Sequence, residues 1–317
     1  MPLFRSRRGQ RPRIAPELDD DALAKVLKVL DAPPAPGLIE LHIAQVQRAL
    51  DEPGKDWDRR SHRLSVLAER TGDTHLPQAW VSRAPRTADA LLLKAQVDLR
   101  HGQRGGALAD PQATIGLCHR VAELHPDDPA PWVVLLGALR LMRRPSQEVF
   151  PVWEEIMARD TWNREAFLHM TGYLAAEECG SHMQLLDFVD AARARMPADA
   201  PAIGAELVSV VRRQHRSAAS GSGDLADSLM AREQWAHPPV STLLERAHQE
   251  WTRPGFLRHA AALADLNLLA YALIQADRLT AAADAFQAIG TTVTAWPWRL
   301  DGDPLERFQL WRERALR

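Results

Sequence analysis

From about residue 20 to the C-terminus, apolar residues recur three and four positions apart. That spacing puts them on one face of an α-helix. It predicts helices near 20–31, 38–51, 57–71, 76–83, 87–101, 110–124, 129–143, 147–159, 164–179, 182–196, 200–215, 224–235, 240–252, 257–275, 279–289 and 303–316. The breaks between them are rich in residues that end helices and open turns: "DAPPAPG" at 31–37, "DEPGKD" at 51–56, "HGQRGG" at 101–106, "HPDDPAP" at 125–131 and "SAASGSGD" at 217–224. The alternation expected of strands is absent. The β-branched cluster "TTVT" at 291–294 is too short and isolated to start a sheet. The expected fold class is all-α.

Many helices joined by short breaks suggest stacked antiparallel hairpins, and an internal repeat tests the idea. Shifting the chain by 35 residues puts Asp128 on Asn163, Trp132 on Phe167, Val133 on Leu168 and Leu135 on Met170. The same shift puts Gly137 on Gly172, Leu139 on Leu174, Ser146 on Ser181 and Trp153 on Phe188. Asp128 and Asn163 are helix-capping types, and Ser146 and Ser181 can cap the second helix of each hairpin. A mid-helix glycine costs roughly 1 kcal/mol relative to alanine, so the repeated glycine points to the close approach of a neighbouring helix.

This pattern resembles the tetratricopeptide repeat (TPR), with its unit of about 34 residues, early aromatic, mid-helix small residue and second-helix aromatic. The segment 267–290 fits as well, with Ala270 as the small residue and Ala282 and Phe286 in the second helix. More closely, "CGSHMQLLDFVDAARARMP" and "IGTTVTAWPWRLDGDP" are similar to uncharacterised TPR-like proteins of actinobacteria, a group with no activity to carry over. The resemblance implies an α-solenoid of TPR-like antiparallel helical hairpins. The expected organisation is a disordered basic tail over 1–16, an N-terminal helical segment over 17–106, TPR-like repeats over 107–216, and C-terminal TPR-like helices and cap over 217–317.

Composition narrows the function without naming it. The chain has 317 residues, 25% of them charged, and a formal net charge of -2, so no global basic excess points to nucleic acid. A nucleic-acid contact could come only from the tail cations Arg5, Arg7, Arg8, Arg11 and Arg13. Only two cysteines, Cys118 and Cys179, are present, too few for a disulfide framework or a cysteine-rich zinc site. No secretory pattern follows the basic start, and no window reaches membrane-spanning length. A cytoplasmic protein is expected.

The densest candidate chemistry is "WNREAFLHMTGYLAAEECGSHM" at 162–183. Here Ser181 followed by Gln184 reads as a capping box, which makes His182 the first residue of a new helix rather than a metal ligand. No metal or cofactor is expected. His169, Tyr173 and Glu177, at i, i+4 and i+8, would share one helix face and line a concave, solvent-accessible groove. Arg140, Lys94 and Arg212 could add positive charge to it. Cys118 and His119 are adjacent, so they diverge around a helix by about 100° and do not form a nucleophile–base pair. Trp296, Trp298, Phe308 and Trp311 read as a terminal cap on the last apolar face.

The function expected is non-catalytic: a TPR-like scaffold that presents a concave groove to a peptide or partner protein. The alternative is an enzyme of actinobacterial specialised metabolism, with the groove as a small-molecule pocket and His169, Tyr173 and Glu177 as acid/base candidates.

Overall fold

A computed structural model describes residues 11–32, 37–220 and 235–317, with 217–220 described through the backbone alone. The helix expected at 224–235 and the cations Arg5, Arg7 and Arg8 lie outside these residues, apart from Trp235. The described residues hold fifteen α-helices, two short 3-10 turns and a pair of two-residue strands. The protein is all-α. No described helix is long and apolar enough to cross a membrane.

The chain divides into two compact units, Asp20–Ala205 and Met1–Asp19 with Glu206–Arg317. Residues 20–106 of the expected N-terminal segment and 107–205 of the expected repeats lie in one unit, and 17–19 and 206–216 lie in the other.

Asp20–Ala205 contains α1 (Asp21–Leu30), α2 (Leu38–Asp51), α3 (Trp57–Thr71), α4 (Leu76–Arg83), α5 (Ala88–Gly105), α6 (Pro111–Leu124), α7 (Ala130–Leu141), α8 (Ser146–Arg159), α9 (Arg164–Tyr173) and α10 (His182–Arg193). Short polar residues start several of them. The side chains of Asp20, Asp56, Asp110, Asn163 and Ser181 each accept a first-turn backbone N–H. Such a cap satisfies a donor that the helix itself cannot. Helices α5 and α7 are buried on nearly every face. Helix α5 packs on α3, α4, α6 and α7, and α7 packs on α5, α6, α8 and α9. One apolar core runs from Leu23 in α1 to Val189 in α10.

Two buried arginines on α3 tie helix ends together. Arg60 donates to Asp89 at 2.6 Å, to Asp128 at 2.9 and 3.0 Å, and to the Leu50 carbonyl at 2.6 Å. Arg63 donates to Asp20 at 2.7 and 3.0 Å, to Glu52 at 2.7 Å and to the Ala49 carbonyl at 2.9 Å. The two carbonyls belong to the last turn of α2, where orphan acceptors favour a cation. Asp20, Asp89 and Asp128 stand at the N-termini of α1, α5 and α7. The arginines thus join one helix C-terminus to three N-termini.

The second unit holds α11 (Ala205–Ser220), α12 (Pro238–Trp251), α13 (Ala262–Gln275), α14 (Leu279–Ile289) and α15 (Pro304–Ala315). The apolar helix α13 packs against α12 and α14, and α15 packs against α14. Here two expectations fail. Residues Thr292–Val293 of the "TTVT" cluster form strand β2, which pairs in parallel with β1, Arg13–Ile14. Residues 11–16 are therefore not all tail: the Arg13 and Ala15 amides donate to the Thr291 and Val293 carbonyls at 3.0 and 2.9 Å, and Ala15 is fully buried. Asn267 supports the pair from α13. Its amide donates to the Thr292 carbonyl at 3.1 Å, and its oxygen accepts the Trp298 indole N–H at 2.9 Å. Trp298 packs with Phe286, Phe308 and Tyr271 in one ring cluster, while Trp296 and Trp311 lie nearer the surface beside Arg212 and Arg314. The expected aromatic cap is built by two of its four residues.

Candidate functional site

Helix α9 ends at Tyr173, six residues before the predicted 179. The chain then folds into tight turns in which the amides of Glu178 and Gly180 both donate to the Ala175 carbonyl, and that of Cys179 to the Tyr173 carbonyl. Leu174–Glu177 are good helix formers, but tertiary contacts outweigh that preference. Arg140 draws Glu178 back over the helix end with a two-pronged ion pair at 2.5 and 2.6 Å. Gly180 lies against the Leu174 backbone so closely that a Cβ would sit 2.2 Å from its carbonyl oxygen.

The expected groove residues do not form one open face. His169 and Tyr173 are buried, at 9% and 4% exposure, and Glu177 is exposed beyond the helix end. The His169 ring sits over Gly137, where a Cβ would be 2.8 Å from it. Tyr173 donates its hydroxyl to the Arg144 carbonyl at 2.8 Å and so braces the loop between α7 and α8. Arg140 lies over Gly172 and is held by Glu178. Lys94 pairs with Asp98 one turn further along α5 at 2.5 Å. Arg212 belongs to the other unit. The correction has a single cause: helical spacing aligns residues only while the helix lasts, and alignment says nothing of what covers the face.

The repeated glycines have a specific use. Each gives room to a polar side chain from another first helix of a hairpin: Gly137 of α7 to His169 of α9, and Gly172 of α9 to Arg140 of α7. The aromatic equivalences hold in part. Trp153, Phe167 and Phe188 meet with ring centroids 5.1–5.6 Å apart. Trp132 is only half-buried, between the edge of His119 and the guanidinium of Arg159. Ser181 caps α10, but Ser146 is the first residue of α8 and caps nothing. The second helices start 36 residues apart, and the α9–α10 connection, 174–181, is longer than the α7–α8 connection, 142–145, which breaks that equivalence.

Beside those turns lies a cleft of about 430 Å3, lined by Arg143, Arg144, Phe150, Tyr173, Glu178 and Gln184 among others. Arg143 follows the C-terminus of α7 with φ +52°, the left-handed conformation. Its amide donates to the Arg140 carbonyl and that of Arg144 to the Leu139 carbonyl, which is the Schellman ending usually given to glycine. Arg144 pairs with Glu148 at 2.6 and 2.8 Å. Arg143 gives one N–H to the Glu177 carbonyl at 3.3 Å. Burial pushes the Cys179 thiol up, with Glu178 adding to the effect, and burial also raises the Tyr173 phenol. Both groups hold their protons at neutral pH, so neither is an activated nucleophile. Sequence spacing could not find it, because it joins two connections about thirty residues apart.

Elsewhere, Cys118 is buried, its thiol pushed up to about 12 by burial, while His119 meets Trp132 edge-on. Among the described residues no group of three or more His, Cys, Asp and Glu side chains is placed to hold a metal ion. Compared with known proteins, the chain matches no family model, no curated protein and no solved structure.

Proposed function

We propose that this chain is a non-catalytic binding protein. In this reading Asp20–Ala205 is an α-solenoid of TPR-like hairpins that acts in the cytoplasm and receives an acidic, extended segment of a partner protein. The observation that carries it is the succession of α5, α7 and α9. These helices touch one another in turn, and α6, α8 and α10 each pack on the helix before them. Such stacking suits the display of loops and second helices along one side.

The receiving surface is the cleft between the α7–α8 and α9–α10 connections. Arg143 and Arg144 favour an acidic partner, and Tyr173 and Gln184 add hydrogen-bonding groups. Apolar side chains extend it along the second helices: Phe150 on α8 is 44% exposed, and Met183 on α10 is 64% exposed. Exposed large apolar groups beside cations are typical of partner surfaces. The catalytic alternative needs His169, Tyr173 and Glu177 to face one open pocket. It is the weaker reading, because the first two are buried and the Tyr173 hydroxyl is engaged.

The experiment compares partner capture from native-host lysate by the wild type, Arg143→Glu and Phe150→Asp, with melting temperature measured on each. Partners retained by the wild type and lost from both variants at unchanged melting support the reading. The same partner set on all three proteins would sink it.

A further inference from the structure

A second cavity of about 380 Å3 lies among the start of α2, the last turn of α3 and the start of α4. Its apolar lining includes Leu30, Leu38, Ile39 and Leu76. On α2, one turn after Leu38, stands His42. Its Nε2 is buried and has no hydrogen-bond partner among the described residues. A buried polar atom left unmatched is costly and uncommon, so it calls for a partner that the described residues do not supply.

The other polar groups indicate what that partner is. Thr71 and Thr74 line the cavity, but their hydroxyls already donate to the carbonyls of Leu67 and Thr71. Arg70 and His75 also line it, and no carboxylate does. Arg70 pairs with Asp31, which is not part of the lining. The wall is therefore apolar over most of its extent, with nitrogen-bearing side chains at a few positions and no carboxylate among the lining residues. Its volume falls within the range of small-molecule sites, about 300–1,000 Å3.

We propose that this cavity binds an apolar small molecule with one acidic head, its tail against Leu38, Ile39 and Leu76 and its head accepting a hydrogen bond from His42 Nε2. The site shares no residue with the cleft at Arg143 and stands or falls independently of it.

The test uses the full chain and sodium decanoate as the probe, followed by calorimetric titration and thermal melting, with decan-1-ol as the neutral counterpart. Decanoate is expected to bind saturably at one site, and more tightly than decan-1-ol. His42→Leu keeps the bulk but removes the nitrogen. It is expected to weaken decanoate binding about tenfold or more, because a hydrogen bond to a charged group is lost. The same substitution should leave the melting temperature without ligand unchanged or raised, since an unmatched polar atom is gone. Ile39→Trp, which fills the cavity, should abolish binding. The proposal is overturned by absent or unsaturable decanoate binding, by decan-1-ol binding as tightly as decanoate, or by binding that survives both substitutions. It is equally overturned if His42→Leu lowers the unliganded melting temperature, which would make the imidazole a structural group.

Discussion

Arg60 and Arg63 carry full charges into an interior where an unmatched ion costs several kcal/mol. They are tolerated because their donors meet carboxylates and helix-end carbonyls. Removing one partner is worse than never having had the pair, so Asp128→Ala is expected to destabilise by about 3–5 kcal/mol in denaturant unfolding. Asp20 gives the matching pH dependence. Burial alone would raise its carboxyl, but Arg63, the Leu23 amide and Arg59 together hold it below the ordinary value of 3.8. A carboxylate lowered in the folded state stabilises above that value, and the stabilisation is lost as pH falls through the lower, folded one. Asp20→Asn keeps a capping side chain and should show a shallower fall in melting temperature below about pH 4 than the wild type. Asp51 and Asp160 are raised by burial and act in the opposite sense, but they are common to both proteins and cancel in the comparison. Arg143 is the remaining special residue. Its left-handed backbone suits glycine, so Arg143→Gly should raise stability by roughly 1 kcal/mol. Raised melting with weakened partner capture would mean that the strained position is kept for its side chain.

At the scale of the element, helix ends and helix contacts decide more than helix interiors. Ser181 accepts the Gln184 amide at 3.2 Å and starts α10, whereas Ser146 lies inside α8. Ser181→Ala should therefore cost about 1 kcal/mol in thermal unfolding, with Ser146→Ala and His182→Ala close to neutral. Gly172 tests the contact between α7 and α9. A Cβ there would meet the Arg140 guanidinium carbon at 2.0 Å, so one of the two must move. Gly172→Ala is expected to destabilise by about 1–3 kcal/mol, with much of that loss absent in an Arg140→Ala background. An additive double-mutant cycle would show that the glycine serves something other than this contact.

For the whole molecule, the chain's beginning and end belong to one compact unit. Strand β1 lies beside β2 near the C-terminal helices, Ala15 is fully buried, and Asn267 and Trp298 hold β2 in place. The reference for β1 is the melting of a chain that lacks residues 1–10. Deleting 1–16 removes the Arg13 and Ala15 amide bonds to the Thr291 and Val293 carbonyls and the Leu18 amide bond to the Ala15 carbonyl, each worth about 0.5–1.5 kcal/mol, together with the buried alanine, and should lower it measurably. Equal melting of the two truncations would show that β1 contributes nothing to the unit.

The all-α class, most helix starts, the Ser181 cap and the sequence separation of the hairpins were determined by the sequence itself. They rest on local physics: apolar spacing of three to four, short polar caps, and proline or glycine at breaks. The 35-residue echo also found Gly137 and Gly172, since a costly residue in a helix signals a neighbour. Everything that depends on which surfaces meet was decided by the tertiary structure. Helix α9 stops at Tyr173 because Arg140 and Glu178, thirty-eight residues apart, form a pair. His169 and Tyr173 are buried because α7 and its loop cover them. Arg60 and Arg63 look like the polar face of an amphipathic helix in sequence, and only the assembled helix ends make that face an interior. The cleft at Arg143 and the cavity at His42 exist only where separate connections come together. Local spacing cannot encode such meetings, because the energies that hold them come from partners far along the chain.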